Sequence, residues 1–447
     1  MDIRARTPIR RAGLTLAIGS GLLALNCSSS SDTPGSAGSA ATAAIPSSGA
    51  GGASSSSGSS SSGSGSGGSA GSAGSGSTSG GSASGGNAGF SSTNGGSASG
   101  GGGSGSGGGA GGTADFGGTG GSGGNDHPLG SPIDAPPRTW KWIDFPGAHC
   151  RDGSPAGIGV NWETSSTKLA IYLEGGGACF SAQSCGGNPS RTGNMFGGPF
   201  DRSPGSPFAD YNQVYAPYCT GDCFTGNNPN GNVPGAGPQQ FVGYVNLDLF
   251  LDRLVATFPN VTQVVLTGSS AGGMAAANNA SHVARRFGNV PIVAIDDSAP
   301  PLSTQFIPAC YPKLVRTLWG LDNTVLKDCG ADCPKPDDFL VDLTMHFARD
   351  PKHATGIVNS YADSTDISVY NQGGQACGSP PMTPTAFGNG LMDLRSTGGG
   401  KPNRFATFYV QSTSHVWLGK NGTTVNGVTL GSWLNDLLNG VYNDVGP

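Results

Sequence analysis

A stretch of almost pure glycine, serine, alanine and threonine over residues 28–125 limits what this chain can fold into. The chain has 80 glycines among its 447 residues, and many of them lie in this stretch. A segment with so few large apolar side chains cannot bury enough surface to offset the conformational entropy that it would lose on ordering. We therefore predict a disordered tether over residues 28–125 and one folded domain over residues 126–447.

Residues 1–27 have the pattern of an export signal. Four arginines in the first eleven residues precede an apolar run over residues 14–25, which is too short to span a bilayer. Cys27 follows this run closely, at the position where bacterial lipoproteins carry their lipid-modified cysteine. We expect an exported protein, either a bacterial-type cell-surface lipoprotein lipidated at Cys27 or a protein secreted after simple cleavage.

The charge of the chain excludes some classes of partner. The formal net charge is −5, and no segment is rich in lysine and arginine, which argues against a nucleic-acid binder. The chain also lacks a polybasic patch for binding a membrane surface, so we expect membrane contact only through a lipid anchor. We expect the protein to be a monomer.

The folded domain contains an odd number of cysteines, namely Cys150, Cys179, Cys185, Cys219, Cys223, Cys310, Cys329, Cys333 and Cys377. Because an exported domain meets an oxidising environment, disulfides are the expected state, and one thiol is left over. Three pairs are close enough in sequence for local bridges: Cys179 with Cys185, Cys219 with Cys223, and Cys329 with Cys333. A zinc site on these cysteines is disfavoured because no histidine lies beside them at ligand spacing.

Short apolar runs alternate with helical patterns in the folded domain, which is typical of an α/β fold with a mostly parallel central sheet flanked by helices. A final amphipathic helix is predicted to bury Val441 on its apolar face. The predicted strands cover residues 169–173, 263–267, 291–295, 357–361 and 405–410, and the predicted helices cover residues 246–258, 274–286 and 430–441.

Residues 268–272 (GSSAG) match the pattern G-x-S-x-G, in which a serine nucleophile occupies a sharp turn between a strand and a helix. The match alone is weak in a chain so rich in glycine and serine. It becomes specific here because a β-branched strand precedes it and a run of helix formers follows it. We therefore predict that Ser270 is a nucleophile.

A serine nucleophile needs a histidine base and an acid that orients it. In α/β-hydrolases the chain order is serine, acid, histidine, and only His415 follows the last predicted strand. Asp363 is the first choice for the acid because it follows the strand predicted at residues 357–361. Asp366 is the second choice, and the pair Asp296 and Asp297, at the end of an earlier strand, is the third.

Ester hydrolysis also requires hydrogen-bond donors where the oxyanion forms. Gly176 and Gly177 follow a predicted strand and can turn their backbone N–H groups toward a cleft. Ala271 follows the nucleophile and supplies a third N–H. We predict that these three residues form the oxyanion hole.

These residues resemble the pectin acetylesterase family, which includes plant pectin acetylesterases and the animal carboxylesterase Notum. The similarity implies an α/β-hydrolase fold and a serine carboxylesterase that needs no metal or cofactor, and it supports the same triad and oxyanion loop. One departure is Ala178, where family members often have tryptophan. The similar stretches are residues 150–157 (CRDGSPAG), 173–179 (LEGGGAC), 218–222 (YCTGD), 268–273 (GSSAGG) and 414–415 (SH).

The resemblance leads us to expect an enzyme that removes O-acetyl groups from a polysaccharide such as pectin, or from small esters. Two alternatives remain open at this point. The first is an esterase for longer acyl groups or polyesters, because the family handles both short and long acyl groups. The second is a catalytically silent surface lipoprotein that binds glycans.

Overall fold

The computed structural model describes residues 129–186, 199–333, 337–400 and 404–447. The predicted export signal, the lipidation site at Cys27 and the predicted tether over residues 28–125 lie outside the described residues. Within the described ranges, no helix combines the length and hydropathy needed to cross a bilayer.

Eight strands form the central sheet. They are β1 (Lys141–His149), β2 (Pro155–Asn161), β3 (Lys168–Leu173), β4 (Asn212–Ala216), β7 (Gln263–Ser269), β8 (Ile292–Asp297), β9 (Ala354–Ser360) and β10 (Phe405–Val410). Their spatial order is β1-β2-β4-β3-β7-β8-β9-β10. The pairs β1–β2 and β2–β4 are antiparallel, and every other neighbouring pair in this sheet is parallel. Two small hairpins comprise β5 (Asn228–Val233) with β6 (Gly237–Phe241) and β11 (Thr424–Val425) with β12 (Val428–Thr429).

Helices cover both faces of this sheet. They are α1 (Gly243–Thr257), α2 (Ala271–Phe287), α3 (Cys310–Trp319), α4 (Val325–Cys329), α5 (Phe339–Ala348), α6 (Ser364–Gln375), α7 (Pro384–Gly398) and α8 (Leu430–Leu438). The prediction of a mostly parallel sheet flanked by helices is therefore confirmed.

Alternation along the strands divides the core between the two faces of the sheet. In β3, Leu169 and Ile171 pack into the larger apolar cluster, whereas Ala170 and Tyr172 pack into the smaller one with Trp433 of α8. Strands that are buried on both faces lack exposed polar positions, which explains why they read as continuous apolar runs. Because β3, β7, β8 and β9 run parallel, their carboxyl ends share one edge.

The last helix is shorter than predicted. It ends at Leu438, and Gly440 adopts a φ of 83° that breaks the helical path. Val441 is consequently 45% exposed, so its predicted place on the buried apolar face is wrong. The prediction for β10, in contrast, is confirmed at both ends.

Four disulfides join eight of the nine cysteines of the described domain. A cysteine in a disulfide has no thiolate, so none of these eight can bind zinc. The local bridges Cys179–Cys185 and Cys329–Cys333 are confirmed, and Cys310 pairs with Cys377.

The predicted bridge between Cys219 and Cys223 is wrong. Cys219 pairs with Cys150 instead, and Cys223 is the buried free thiol. The reason is tertiary, because the Arg151 N–H donates to the Cys219 carbonyl at 3.0 Å and brings the loop after β1 against residue 219.

Candidate active site

Ser270 occupies a strained turn between β7 and α2. Its backbone has φ 58° and ψ −130°, a conformation that L-residues rarely adopt. The turn fits only because its neighbours are glycines. A Cβ on Gly272 would lie 1.9 Å from the Leu173 carbonyl oxygen, and a Cβ on Gly268 would lie 2.4 Å from the same atom. The motif thus places Ser270 where β7, α2 and β3 meet. A strained backbone such as that of Ser270 is characteristic of functional sites.

The loop after β3 passes directly against this turn. A Cβ on Gly175 would lie 2.1 Å from the Ser269 carbonyl and 2.9 Å from the Ser270 Cβ, so a side chain there would push the loop away. Gly177, with φ 78°, and Ala271 line one small cavity together with Ser270. Gly176 belongs to the same loop but does not line that cavity.

The backbone N–H groups of Gly177 and Ala271 have no acceptor among the described residues. Donors without an internal partner beside a nucleophile are what an oxyanion hole requires. The structure therefore brings two of the three predicted donors to the cavity that Ser270 lines.

The ring of His415 lies against the carboxylate of Asp363. Nδ1 of His415 is 3.0 Å from Oδ2 and 3.1 Å from Oδ1 of Asp363. Asp363 is fully buried, and as the N-cap of α6 it accepts hydrogen bonds from the backbone N–H groups of Thr365 at 2.9 Å and Asp366 at 3.1 Å. The helix end thus fixes the orientation of this carboxylate.

On the other side of the ring, Nε2 of His415 is buried and has no hydrogen-bond partner among the described residues. A carboxylate beside Nδ1 favours the tautomer with the proton on Nδ1, because the carboxylate can only accept. This leaves Nε2 with a free lone pair, as a general base requires.

Asp366 lies close to the same histidine without bonding to it. Its Oδ1 is 3.8 Å from Nδ1 of His415, which exceeds hydrogen-bond distance. Burial, together with the negative charge of Asp363, raises the pKa of Asp366 well above its usual range. Asp366 also lines the cavity beside Ser270.

Asp363, Asp366 and His415 are also the set within the described ranges whose ligand atoms lie close enough to share a metal ion, all within 4.8 Å of one another. Nδ1 of His415, the nitrogen that faces both carboxylates, is already hydrogen-bonded to Asp363. A metal there would have to replace that direct contact.

The third choice for the acid, Asp296 and Asp297, is not brought to His415. Asp296 accepts a hydrogen bond from the Ala299 N–H at 3.1 Å. Asp297 accepts from the backbone N–H groups of Trp417 at 2.8 Å and Leu418 at 2.9 Å. Neither contacts the His415 ring within the described part of the chain, and burial raises the pKa of both carboxyl groups.

The cavity beside Ser270 is small, at about 30 Å³. Two tyrosines close it, and the hydroxyl of Tyr370 is held by the Pro300 carbonyl at 2.7 Å. The free thiol of Cys223 also lines the cavity, which sequence reasoning missed because the spacing offers Cys223 as a disulfide partner of Cys219. Burial raises the pKa of this thiol to about 12. The lining residues are Gly177, Ala178, Cys223, Ser270, Ala271, Met274, Ala299, Tyr311, Asp366, Val369 and Tyr370.

A second, larger cleft of about 850 Å³ lies toward the other end of α2. His282 lines it and is buried between Asp248 at 3.3 Å and Asp328 at 3.5 Å, while Tyr244 contacts its Nδ1 at 2.8 Å. His282 thus belongs to a polar network that does not include Ser270.

Part of this chain is similar in sequence to proteins of one family. The pectinacetylesterase family model matches residues 143–299. The chain is 31% identical over 164 residues to palmitoleoyl-protein carboxylesterase NOTUM of Schmidtea mediterranea. The aligned stretch covers 33% of this chain and 30% of that protein. It is 32% identical over 142 residues to pectin acetylesterase 4 of Arabidopsis thaliana, covering 29% of this chain and 34% of the plant protein. The aligned part spans about one third of the length of these relatives.

The fold is also found among solved structures. The Wnt deacylase Notum from Drosophila superposes with a TM-score of 0.53 and 20% identity, over 67% of this chain and 93% of that one. This likeness confirms the predicted α/β-hydrolase-type fold. The matched stretch at residues 143–299 includes the Ser270 turn and the loop after β3, whereas Asp363 and His415 lie beyond it. The chain therefore resembles the pectin acetylesterase and Notum family, as its motifs predict.

Proposed function

We propose that this protein is a serine carboxylic ester hydrolase with Ser270, His415 and Asp363 as its catalytic residues. The observation that carries the proposal is the cavity in which the strained Ser270 meets unbonded backbone N–H groups. The buried, unpartnered Nε2 of His415, backed by the Asp363 carboxylate, supplies the base that such a serine needs. The relatives that the chain resembles are named as acetylesterases and carboxylesterases, which supports the same reaction class.

In the proposed mechanism the Ser270 oxygen attacks the ester carbonyl while its proton passes to Nε2 of His415. The N–H groups of Gly177 and Ala271, which line the cavity, stabilise the negative charge on the carbonyl oxygen. When the tetrahedral intermediate collapses, Nε2 returns the proton to the leaving alcohol and an acyl-Ser270 ester remains. Water then adds with the same proton transfer through His415, and the free acid and Ser270 are released.

The size of the cavity favours a short acyl group. A volume of about 30 Å³ is only two to three times the minimum of roughly 10–15 Å³ that holds one water molecule, so it suits a group as small as the methyl group of an acetyl ester. Although Ala178 is small, Tyr311 and Tyr370 line the same cavity. The acyl group of a palmitoleoyl ester, which the names of the Notum relatives specify, would require these tyrosines to move.

We propose an O-acetylated polysaccharide such as pectin as the substrate. This rests on the small cavity and on the resemblance to pectin acetylesterases, whose name specifies that substrate. The reaction needs no metal or cofactor, because the side chains and backbone donors supply both the proton transfer and the charge stabilisation.

We further propose that the enzyme is exported and acts as a monomer. Four disulfides are typical of a protein from an oxidising compartment. Residues 1–27 would direct export, with Cys27 as a lipid anchor, and residues 126–447 would form the esterase domain.

The test is hydrolysis of p-nitrophenyl acetate by the full chain and by its Ser270→Ala variant, with matched circular dichroism and melting temperature. We expect turnover that is lost in the variant, and acetate release from acetylated pectin with the same dependence on Ser270. The rate should fall from acetyl to butyryl to octanoyl esters. Equal turnover in both proteins would contradict a serine mechanism, and no turnover in either folded protein would favour the glycan-binding alternative.

A further inference from the structure

The loop that carries His415 is held by two adjacent side chains at the end of β8. The Val416 N–H donates to Oγ of Ser298 at 3.1 Å. The Trp417 and Leu418 N–H groups donate to the carboxylate of Asp297 at 2.8 and 2.9 Å. Asp297 and Ser298, which we call the amide clamp, thus bind the three consecutive backbone N–H groups that follow the histidine.

Asp297 also contacts the nucleophile turn. Its backbone carbonyl accepts the Ser270 N–H at 2.7 Å, and its carboxylate accepts the Ser269 hydroxyl at 2.7 Å. One fully buried residue therefore bonds through its main chain to the turn that carries Ser270, and through its side chain to the loop that carries His415.

The backbone around the clamp would be unstable without it. Val416 has φ 59° and Ser298 has φ 66°, and Ser270 has φ 58°. Positive φ is a rare state for a β-branched residue such as Val416, and strain of this kind destabilises the backbone that adopts it. Such conformations persist only where surrounding bonds over-determine them, and the Val416 N–H is bonded to the clamp.

On the other side of the histidine, the Ser414 carbonyl accepts a hydrogen bond from the Ser360 hydroxyl at the end of β9. The backbone of His415 is therefore anchored both before and after it, to two neighbouring strands. Only the ring remains to be oriented, and Asp363 does this.

We propose that Asp297 is a positioning residue that holds the His415 loop and the Ser270 turn in one fixed relation. Asp297 does not line the cavity beside Ser270, and no hydrogen bond joins it to the His415 ring in the described part of the chain, so it acts through the two backbones that it bonds. Its effect on catalysis rests on the proposed function, whereas its effect on the His415 loop does not. Because a misplacement of about 1 Å at a reacting group can cost on the order of 10²-fold in rate, the loss should fall on kcat.

The test compares Asp297→Asn with Asp296→Asn in the full chain. Both carboxyl groups are buried on the same strand, but among the described residues the Asp296 carboxylate accepts a bond from the Ala299 N–H and none from the His415 loop. For Asp297→Asn we expect kcat on p-nitrophenyl acetate to fall roughly 10- to 100-fold with KM within about twofold. For Asp296→Asn we expect kcat within about threefold of wild type.

Hydrogen exchange by mass spectrometry gives a readout that does not depend on activity. The peptide containing Trp417 and Leu418 should exchange faster in Asp297→Asn and at the wild-type rate in Asp296→Asn. If Ser270→Ala kept full activity, the proposed function would fail, and this exchange result would still test the clamp. Unchanged kcat with unchanged protection of the peptide in Asp297→Asn would overturn the proposal.

A second variant covers the case in which Asp297→Asn is destabilised throughout. Ser298→Ala removes the bond to the Val416 N–H and the bond of 3.1 Å that the Ser298 hydroxyl donates to Asp297, but it keeps the Asp297 carboxylate itself. We expect a smaller loss of kcat, with faster exchange confined to the same peptide. Faster exchange across the whole domain in both variants would show a general structural role and would also overturn the proposal.

Discussion

Replacing Asp363 by asparagine should abolish most of the proposed esterase activity without unfolding the protein. Oδ1 of Asp363 accepts the N–H groups of Thr365 and Asp366, so an asparagine would keep its carbonyl oxygen at that position. Its NH₂ group would then point at Nδ1 of His415, where Oδ2 now lies at 3.0 Å. Because an NH₂ group only donates, Nδ1 would have to accept, and the ring proton would move to Nε2.

This change of tautomer removes the base. With Nε2 protonated, His415 can no longer take the proton of Ser270, so kcat should fall by about 10⁴, the loss that an Asp-to-Asn change in a triad causes in serine proteases. A factor of about 10⁴ corresponds to about 5.4 kcal/mol in activation free energy. The stability cost should stay small, because asparagine caps a helix about as well as aspartate.

The assay is kcat for p-nitrophenyl acetate at neutral pH, with Asp366→Asn measured beside Asp363→Asn. Oδ1 of Asp366 lies 3.8 Å from Nδ1 and makes no hydrogen bond to it, so its variant should keep kcat within about threefold of wild type. Thermal melts of all three proteins control for folding. If Asp363→Asn stayed within tenfold of wild type while Asp366→Asn lost activity, the assignment of the acid would be refuted.

Three further predictions follow from the cavity beside Ser270. Val369→Ala should raise the octanoyl-to-acetyl rate ratio by widening the cavity, and an unchanged ratio would show that Val369 does not limit acyl length. Because burial raises the pKa of the Cys223 thiol to about 12, this thiol should resist iodoacetamide at pH 8 in the native protein and react only after denaturation. Peptide mass spectrometry measures the labelling, and rapid labelling of the native protein would contradict the prediction. Burial raises the pKa of Asp366 above its unfolded value of about 3.9, so the folded state binds more protons and loses stability as pH rises. Asp366→Asn should therefore melt higher than wild type near pH 7, and this gain should vanish toward pH 4; an equal difference at both pH values would argue against it.

Much of the candidate site could be predicted because its signals are local. The turn at Ser270 requires glycines at fixed positions on either side, and the reason is visible in the contacts of Gly268 and Gly272 with the Leu173 carbonyl. His415 could be chosen because it alone follows the last strand. Asp363 was preferred over Asp366 by its position after a strand, and the structure places it in hydrogen-bond contact with His415. Its catalytic role remains a prediction.

Other features could not be predicted because they depend on contacts between distant parts of the chain. Cys219 pairs with a residue 69 positions away, and no spacing rule distinguishes that partner from nearby Cys223. For the same reason, the presence of Cys223 in the wall of the cavity was not foreseen. Asp297 was considered as a triad acid, since position at a strand end does not reveal which loop a carboxylate faces.

The sequence by itself determined the class of fold, the nucleophile turn and the family that the chain resembles. These depend on the period of apolar residues and on a few glycines, which act over short distances along the chain. Only the tertiary structure decided which carboxylate faces His415, which cysteines pair and how small the cavity is. Each of these depends on side chains brought within a few ångströms of one another from separate strands and loops, and that proximity arises only when the sheet is assembled.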